Sequence, residues 1–542
     1  MQVLFAGLLG GYTILLLLLS HRSRRRSNEA GQFLDGGRQF SLWTVFYLMT
    51  AMWGASMFSV EIDTAYTSGV SAVWFGISTV VSTVFIAMFL LSPFRKIGYL
   101  TNSNLIGRRY GAKARNFSAL VIGLTFPIFA MKNVLAAAAY LHVVLGWSLP
   151  VLLIVTTLIV ILYVSLGGLW SLAYVQLLNL GVFTLGLAVA AYYVLRKSPV
   201  FPVPVTSPVP TATGFYSLSG VGISTILVWF GMSLLNSVSA QAEFQTIAAA
   251  KTDRAGKWGV YLSAVVLVAF AVVPTLLGMA AREHMVGTWT GLVAFPRYLE
   301  MVAPPAAVLL VGLGFWSAAL IWCAPLMFSG AASFGLDLFC KPDQARGAHA
   351  IRRFTRFSMC IQGAMIVLYA LLRPDHLAWW AVFGLTLRNA AIVGPTLTFL
   401  LWPLVKERTI YVSMGVGVLS GFLWNALTAF SASRFPFGIN PMWVGTGCSL
   451  LVIVAGTLIE NRALLILTQA PRKRQRGIQM AVLGALLFGM ALWLNEHGGH
   501  SLLGVLLFTA VFIEFFAAIA LIDTRTSQSH SEQRIVENVG IL

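Results

Sequence analysis

The chain has 542 residues, of which 58% are hydrophobic and 10% charged, and its mean hydropathy is +0.82. A soluble globular domain carries about a quarter of its residues as charge, so this composition excludes one and indicates an integral membrane protein. The net charge of +18, from 36 Lys and Arg against 18 Asp and Glu, raises nucleic acid as a partner, and where the basic residues sit decides that question better than their sum.

Apolar runs long enough to cross ~30 Å of hydrocarbon as helix recur along the whole chain. They predict fifteen spans, near 2–19, 43–66, 71–93, 117–140, 149–167, 172–195, 219–239, 258–281, 304–338, 357–372, 377–404, 410–430, 442–459, 478–494 and 501–522. The first run opens on "MQVLFAGLL" without a basic leader, and the arginines of "HRSRRR" (His21 to Arg26) follow it. That order predicts a retained helix with the N-terminus outside rather than a signal peptide. With "HRSRRR" in the cytoplasm, strict alternation places 28 of the 36 Lys and Arg on cytoplasmic segments and six outside, leaving Lys132 and Arg388 within spans. This is the positive-inside bias of a plasma membrane protein, here of bacterial inner-membrane type, with a cytoplasmic C-terminus. The basic balance is therefore topology, with lipid as the partner and nucleic acid excluded.

"SPVFPVPVTSPVPTATG" (Ser198 to Gly214) reads as an extended, Pro-rich external connection, and the polar tail after Asp523 is too short for a folded output domain. Cys323, Cys340, Cys360 and Cys448 are scattered, with neither paired nor metal-ligand spacing.

The spans carry a few charges. "FSVEIDTAYTSG" (Phe58 to Gly69) holds Glu61 and Asp63. A carboxylate at mid-membrane costs about 2.5–3.5 kcal/mol on insertion scales, so such groups face a cavity or find a partner. Two residues apart on a helix, they diverge by roughly 200° and share a cavity only where the helix is broken. The small and β-branched residues around them, with Gly69 close behind, fit an irregular outer half of that helix. Either both are structural acids near the outer interface, or one is held away from water, where the neutral form is favoured, and carries a proton. Lys132, in "FPIFAMKNVLAAAAYLH", lies about 12 Å from either end of its span, too deep to snorkel, and needs an anion: Glu61, Asp63 or a substrate carboxylate. Arg388, in "FGLTLRNAAIVGP", precedes a Gly-Pro bend and contacts either substrate or freed carbonyls. Glu514, in the last span, reads as a packing or partner contact.

Six fragments carry a family resemblance. "FLDGGRQFSLWT" (Phe33 to Thr44), "TNSNLIGRRYGAKAR" (Thr101 to Arg115), "YVSLGGLWSLAYVQLLN" (Tyr163 to Asn179), "AQAEFQTIAAAKTDRAGK" (Ala240 to Lys257), "SFGLDLF" (Ser333 to Phe339) and "GPTLTFLLW" (Gly394 to Trp402) resemble motifs of the sodium:solute symporter family, in the family's order and at the corresponding spans. The resemblance implies an all-α membrane protein with a five-plus-five inverted-repeat core of the APC/LeuT type, within about 15 transmembrane helices. Residues 33–409 would be that core, spans two to eleven. Residues 1–32 add a helix and a basic loop, 410–522 four accessory helices, and 523–542 a short tail. Substrate would bind between broken helices near the midplane.

Against the family pattern, two sodium sites are degenerate. One uses backbone carbonyls of the first core helix, here around Thr50 and Trp53, and Ser/Thr hydroxyls of the eighth. Counting from Asp337, those hydroxyl positions fall on Ile321 and Trp322, which have no side-chain oxygen ligand for a hard cation; a slip would be needed to reach Ser317 or Ser329. The acid of the other site falls on Gln176, beside Val175. Trp53 and Met57, one turn apart, match positions lining the sodium and substrate sites, and Trp322 would face them with bulk in place of the ion; ordinary apolar packing serves each of these residues equally. The expected function is a secondary transporter of a small polar, anionic or zwitterionic solute by alternating access, with sodium coupling weakened or lost and protons, or uncoupled exchange, in its place. The alternative is a transport-inactive membrane sensor, scaffold or partner subunit, whose C-terminal helices would bind another protein. No enzymatic chemistry, cofactor or metal cluster is indicated.

Overall fold

Hydropathy and backbone chemistry dictate an almost wholly helical molecule, since helices alone satisfy every amide within one apolar segment. The computed structural model describes residues 2–23, 36–98, 101–197, 214–285, 287, 290–339, 348–373, 377–431, 434–462, 465–497 and 500–524. Arg24 to Arg26, the start of the "FLDGG" motif, the Pro-rich stretch at 198–213, Cys340 and the tail at 525–542 lie outside the described residues.

Besides a short helix at Leu91–Ile97, the helices are α1 (Gln2–Ser23), α2 (Leu42–Ser68), α3 (Val73–Phe85), α4 (Asn102–Leu145), α5 (Leu149–Lys197), α6 (Ile223–Ser239), α7 (Gln241–Ala248) and α8 (Asp253–His284). They continue with α9 (Gly291–Val302), α10 (Pro305–Ala332), α11 (Ala348–Leu372), α12 (Leu377–Leu401), α13 (Glu407–Ala426), α14 (Pro441–Asn461), α15 (Pro471–Glu496) and α16 (His500–Leu521). Among the described residues, 13 helices are long and apolar enough to cross a membrane, or up to 14 with the bent pair α6 and α7 as one broken span. One of these runs, Leu42–Ile97, has 56 residues, about 84 Å of helix at 1.5 Å per residue, and must cross more than once. It turns at Gly69, whose φ of 71° suits glycine. Splitting it there restores the fifteen crossings read from hydropathy.

The chain divides into two compact units. The first comprises Met1–Leu91, Phe126–Gly222 and Gln241–Ala381. Its axis is α2, against which α3, α5, α8 and α10 pack. α1 lies along α5, held by Tyr12 donating to Asn179 Oδ1 at 2.5 Å and by the Ser20 hydroxyl, 2.6 Å from that of Ser171. α5 breaks at Gly168. A two-way backbone bridge joins Phe40, just ahead of α2, to the segment after α7: the Phe40 amide donates to Ala249 and the Lys251 amide to Phe40.

The second unit comprises Ser92–Thr125, Ile223–Ala240 and Val382–Leu542. There α13 pairs with α14 and α15 with α16. A two-stranded antiparallel sheet, Leu465–Leu467 with Ile522–Thr524, joins the lead into α15 to the exit from α16. The Glu514 carboxyl of α16 rests on Gly484 of α15, where a Cβ would come within 2.4 Å of Oε1.

Candidate functional site

The centre of α2 is enclosed on every side, with Thr50, Trp53, Met57 and Glu61 all buried. Glu61 is 0% exposed. Its carboxyl lies against α3 at Gly76, where a Cβ would stand 2.0 Å from Oε1, 2.6 Å from the Ala271 Cβ of α8 and 2.9 Å from the Met57 sulfur. Only glycine fits such an approach, so the missing side chain at 76 is what creates the seat. The Gly76 backbone amide is close enough to favour the carboxylate, yet among the described residues neither carboxyl oxygen has a partner in full hydrogen-bonding geometry. A buried polar group without a hydrogen bond costs on the order of 1–3 kcal/mol, and a bare charge far more.

Asp63 points elsewhere. It is half-buried, and its Oδ1 accepts a 3.0 Å hydrogen bond from the amide of Gly291, the first residue of α9. A carboxylate at that position satisfies an otherwise orphaned amide and complements the helix dipole. The irregular outer half expected for this helix is not found: α2 is regular from Leu42 to Ser68, and the break comes at Gly69. Unbroken helix geometry therefore turns the two acids to different neighbours.

Trp53, Trp322 and Lys132 come together on the side of α2 that faces α4 and α10. The rings of Trp53 and Trp322 lie 6.0 Å apart, and the Lys132 ammonium sits 5.7 Å from the Trp322 ring and 5.8 Å from that of Phe75. Aromatic faces attract a cation at these distances. Lys132 is 2% exposed. Of the anions considered for it, Glu61 is not hydrogen-bonded to it.

Of the positions that the sequence resemblance assigns to the family's ion sites, Trp322, Gln176 and Thr50 carry side chains that donate to backbone, while the Trp53 indole N–H has no partner among the described residues. Trp322 Nε1 donates to the Phe129 carbonyl at 2.8 Å, and Gln176 Nε2 to the Ile321 carbonyl at 2.8 Å, while Gln176 Oε1 has no partner among the described residues. The Thr50 hydroxyl bonds its own helix at Phe46. Both hydroxyls that a shifted alignment would recruit are also engaged, Ser317 to Tyr12 and Ser329 as an acceptor from Gln241.

Two features escaped the sequence reading. Asn133, beside Lys132 and 1% exposed, accepts from the Ser59 hydroxyl at 2.5 Å and donates to the carbonyls of Ala55 at 2.5 Å and Ala318 at 3.4 Å. An amide inside the apolar run "AMKNVLAAAA" was the available signal. The second is a narrow apolar cavity walled by Phe58, Phe183, Phe295, Phe315, Gly186 and Gly314, whose rings meet edge-on and stacked at 4.6–5.7 Å. Arg388 belongs to the second unit, where its buried guanidinium donates to the Asn236 amide oxygen.

The chain is 24% identical over 391 residues to the "High-affinity choline transporter 1" of Drosophila melanogaster, covering 67% of this chain and 60% of that one; it thus spans less than two thirds of the choline transporters it matches first. It is 22% identical to the "Uncharacterized symporter YidK" of Escherichia coli across 94% of both chains. Its fold superposes on a Na+-coupled sialic acid symporter with a TM-score of 0.66 at 14% identity, over 84% of this chain and 97% of that one. A profile described as "Sodium:solute symporter family" matches residues 33–417. The chain belongs to the sodium:solute symporter family.

Proposed function

We propose that this symporter moves a small anionic or zwitterionic solute by alternating access, and that protons taken up at Glu61 replace sodium as the coupling ion. The observation that carries the reading is the Glu61 carboxyl, buried on the bare backbone of Gly76 with neither oxygen hydrogen-bonded. A group so placed moves between water and protein as a neutral acid at far lower cost than as an ion. The loss of sodium coupling is supported by the residues at the aligned ion positions. At two of them, Trp322 and Gln176, an indole and an amide N–H bind the carbonyls of Phe129 and Ile321, whereas a hard cation requires oxygen ligands. Lys132 supplies the countercharge for a solute carboxylate, with Trp53 and Met57 beside it on α2 lining the solute's path. Arg388 is a second candidate contact. The protein acts in the plasma membrane, N-terminus outside.

The aromatic cavity favours a second solute class. Its four phenylalanines offer ring faces to an alkylated ammonium group through cation–π attraction once the helices part around the narrow cavity, and the Drosophila relative is a choline transporter by name.

Reconstituted protein, tested for uptake of short carboxylates, amino acids and choline under an inward pH gradient without sodium, decides between them. Gradient-driven accumulation of a carboxylate or amino acid supports the first reading. Accumulation of choline alone supports the second, and accumulation only in sodium overturns the proton reading.

A further inference from the structure

The hydrogen bonds of the Asn133 amide gather oxygens from α2 and α10 onto α4. Ser59 and Ala55 are one turn apart on α2, and Ala318 lies on α10. The Ser59 hydroxyl donates to Oδ1 at 2.5 Å, and Nδ2 donates to the Ala55 carbonyl at 2.5 Å and, at the long end of the range, to that of Ala318 at 3.4 Å. Carbonyl dipoles from two helices aimed at one point repel unless a positive group stands between them. Here that group is the polarised NH2 of a neutral amide, sealed from water at 1% exposure. Both carbonyls belong to helix interiors, so each already serves its own helix and uses its second lone pair on the amide.

We infer that Asn133 is a positioning residue that holds α2 to α10 through a neutral amide instead of an ion, and that a carboxylate at this position would turn the joint into a monovalent-cation site. The inference rests on the sodium-independent reading above and deepens it. With aspartate, the oxygen replacing Nδ2 faces the Ala55 and Ala318 carbonyls, and Ser59 Oγ stays in reach. Four oxygens, one charged, are ligands of the type that hard cations take. Without a cation, those oxygens face one another with no hydrogen between them.

The test compares wild type, Asn133→Asp and Asn133→Ala, purified in detergent, by thermal unfolding in sodium chloride and in choline chloride at equal ionic strength. Sodium is expected to raise the midpoint of Asn133→Asp by about 2 °C or more, Asn133→Ala by less, and wild type not at all. A merely structural amide would lower the midpoint on substitution without making it sodium-sensitive. If both variants fold and neither responds to sodium, the inference fails while the sodium-independent reading stands. If Asn133→Asp does not fold, Asn133→Ala decides alone: a sodium response supports the joint and its absence overturns it. A sodium response in wild type overturns the sodium-independent reading itself.

Discussion

Replacing Gly76 by alanine tests the seat of Glu61. The new Cβ would lie 2.0 Å from Glu61 Oε1, whereas ordinary contact begins near 3.4 Å, so the carboxyl must retreat by about 1.4 Å. The same methyl group meets Ala271 Cβ at 2.6 Å and the Met57 sulfur at 2.9 Å. Overpacking on this scale costs ~1–3 kcal/mol, and three simultaneous overlaps in a fully buried site put Gly76→Ala in the upper half of that range. Removing the carboxyl first, in Glu61→Ala, eliminates the shortest of the three contacts. Gly76→Ala should therefore cost ~1 kcal/mol less in the Glu61→Ala background than in wild type, a coupling expected for residues in contact. Thermal and denaturant unfolding of the four proteins in detergent, followed by intrinsic tryptophan fluorescence, measures it. Equal costs in the two backgrounds, within ~0.5 kcal/mol, would refute the packing of Glu61 on Gly76.

Glu61→Gln keeps the shape and removes the titrating proton; it should still exchange solute across a membrane at equilibrium but lose pH-driven accumulation. One proton per solute sets that loss at about tenfold per unit of pH gradient, read as the steady-state concentration ratio in proteoliposomes. Lys132→Met should raise the KM for an anionic solute by tenfold or more, given the ~1.5–3 kcal/mol of a charged hydrogen bond, and leave an uncharged analogue unaffected; equal loss for both would assign Lys132 to packing. Asp63→Ala removes the acceptor for the first amide of α9 and should destabilise the protein by about 0.5–2 kcal/mol, with pH-driven accumulation retained by the folded fraction. Loss of accumulation at full stability would make Asp63, rather than Glu61, the coupling acid.

The spans were legible because hydropathy acts over about 20 residues at a time and needs no knowledge of neighbours. The family was legible from backbone-dictated fragments such as "RRYGAKAR", whose Gly111 takes a φ of 77°. Glu61 and Lys132 stood out because charge is rare in hydrocarbon. What those charges touch was not legible. The approach of Gly76 to Glu61 depends on how α3 lies against α2, and the capping of α9 by Asp63 joins residues 228 positions apart. Asn133 was passed over because an uncharged amide reveals its role only through the carbonyls it meets. The expected break within α2 failed for a related reason: small and β-branched residues permit irregular backbone, but tight packing against α8 sustains a regular helix.

The coupling ion is the central claim, and ion flux reports it most directly. Wild-type protein in proteoliposomes, given its solute, should acidify the lumen as read by an entrapped pH dye, with no solute-evoked entry of radioactive sodium. Stoichiometric sodium entry with no change in luminal pH would contradict the account.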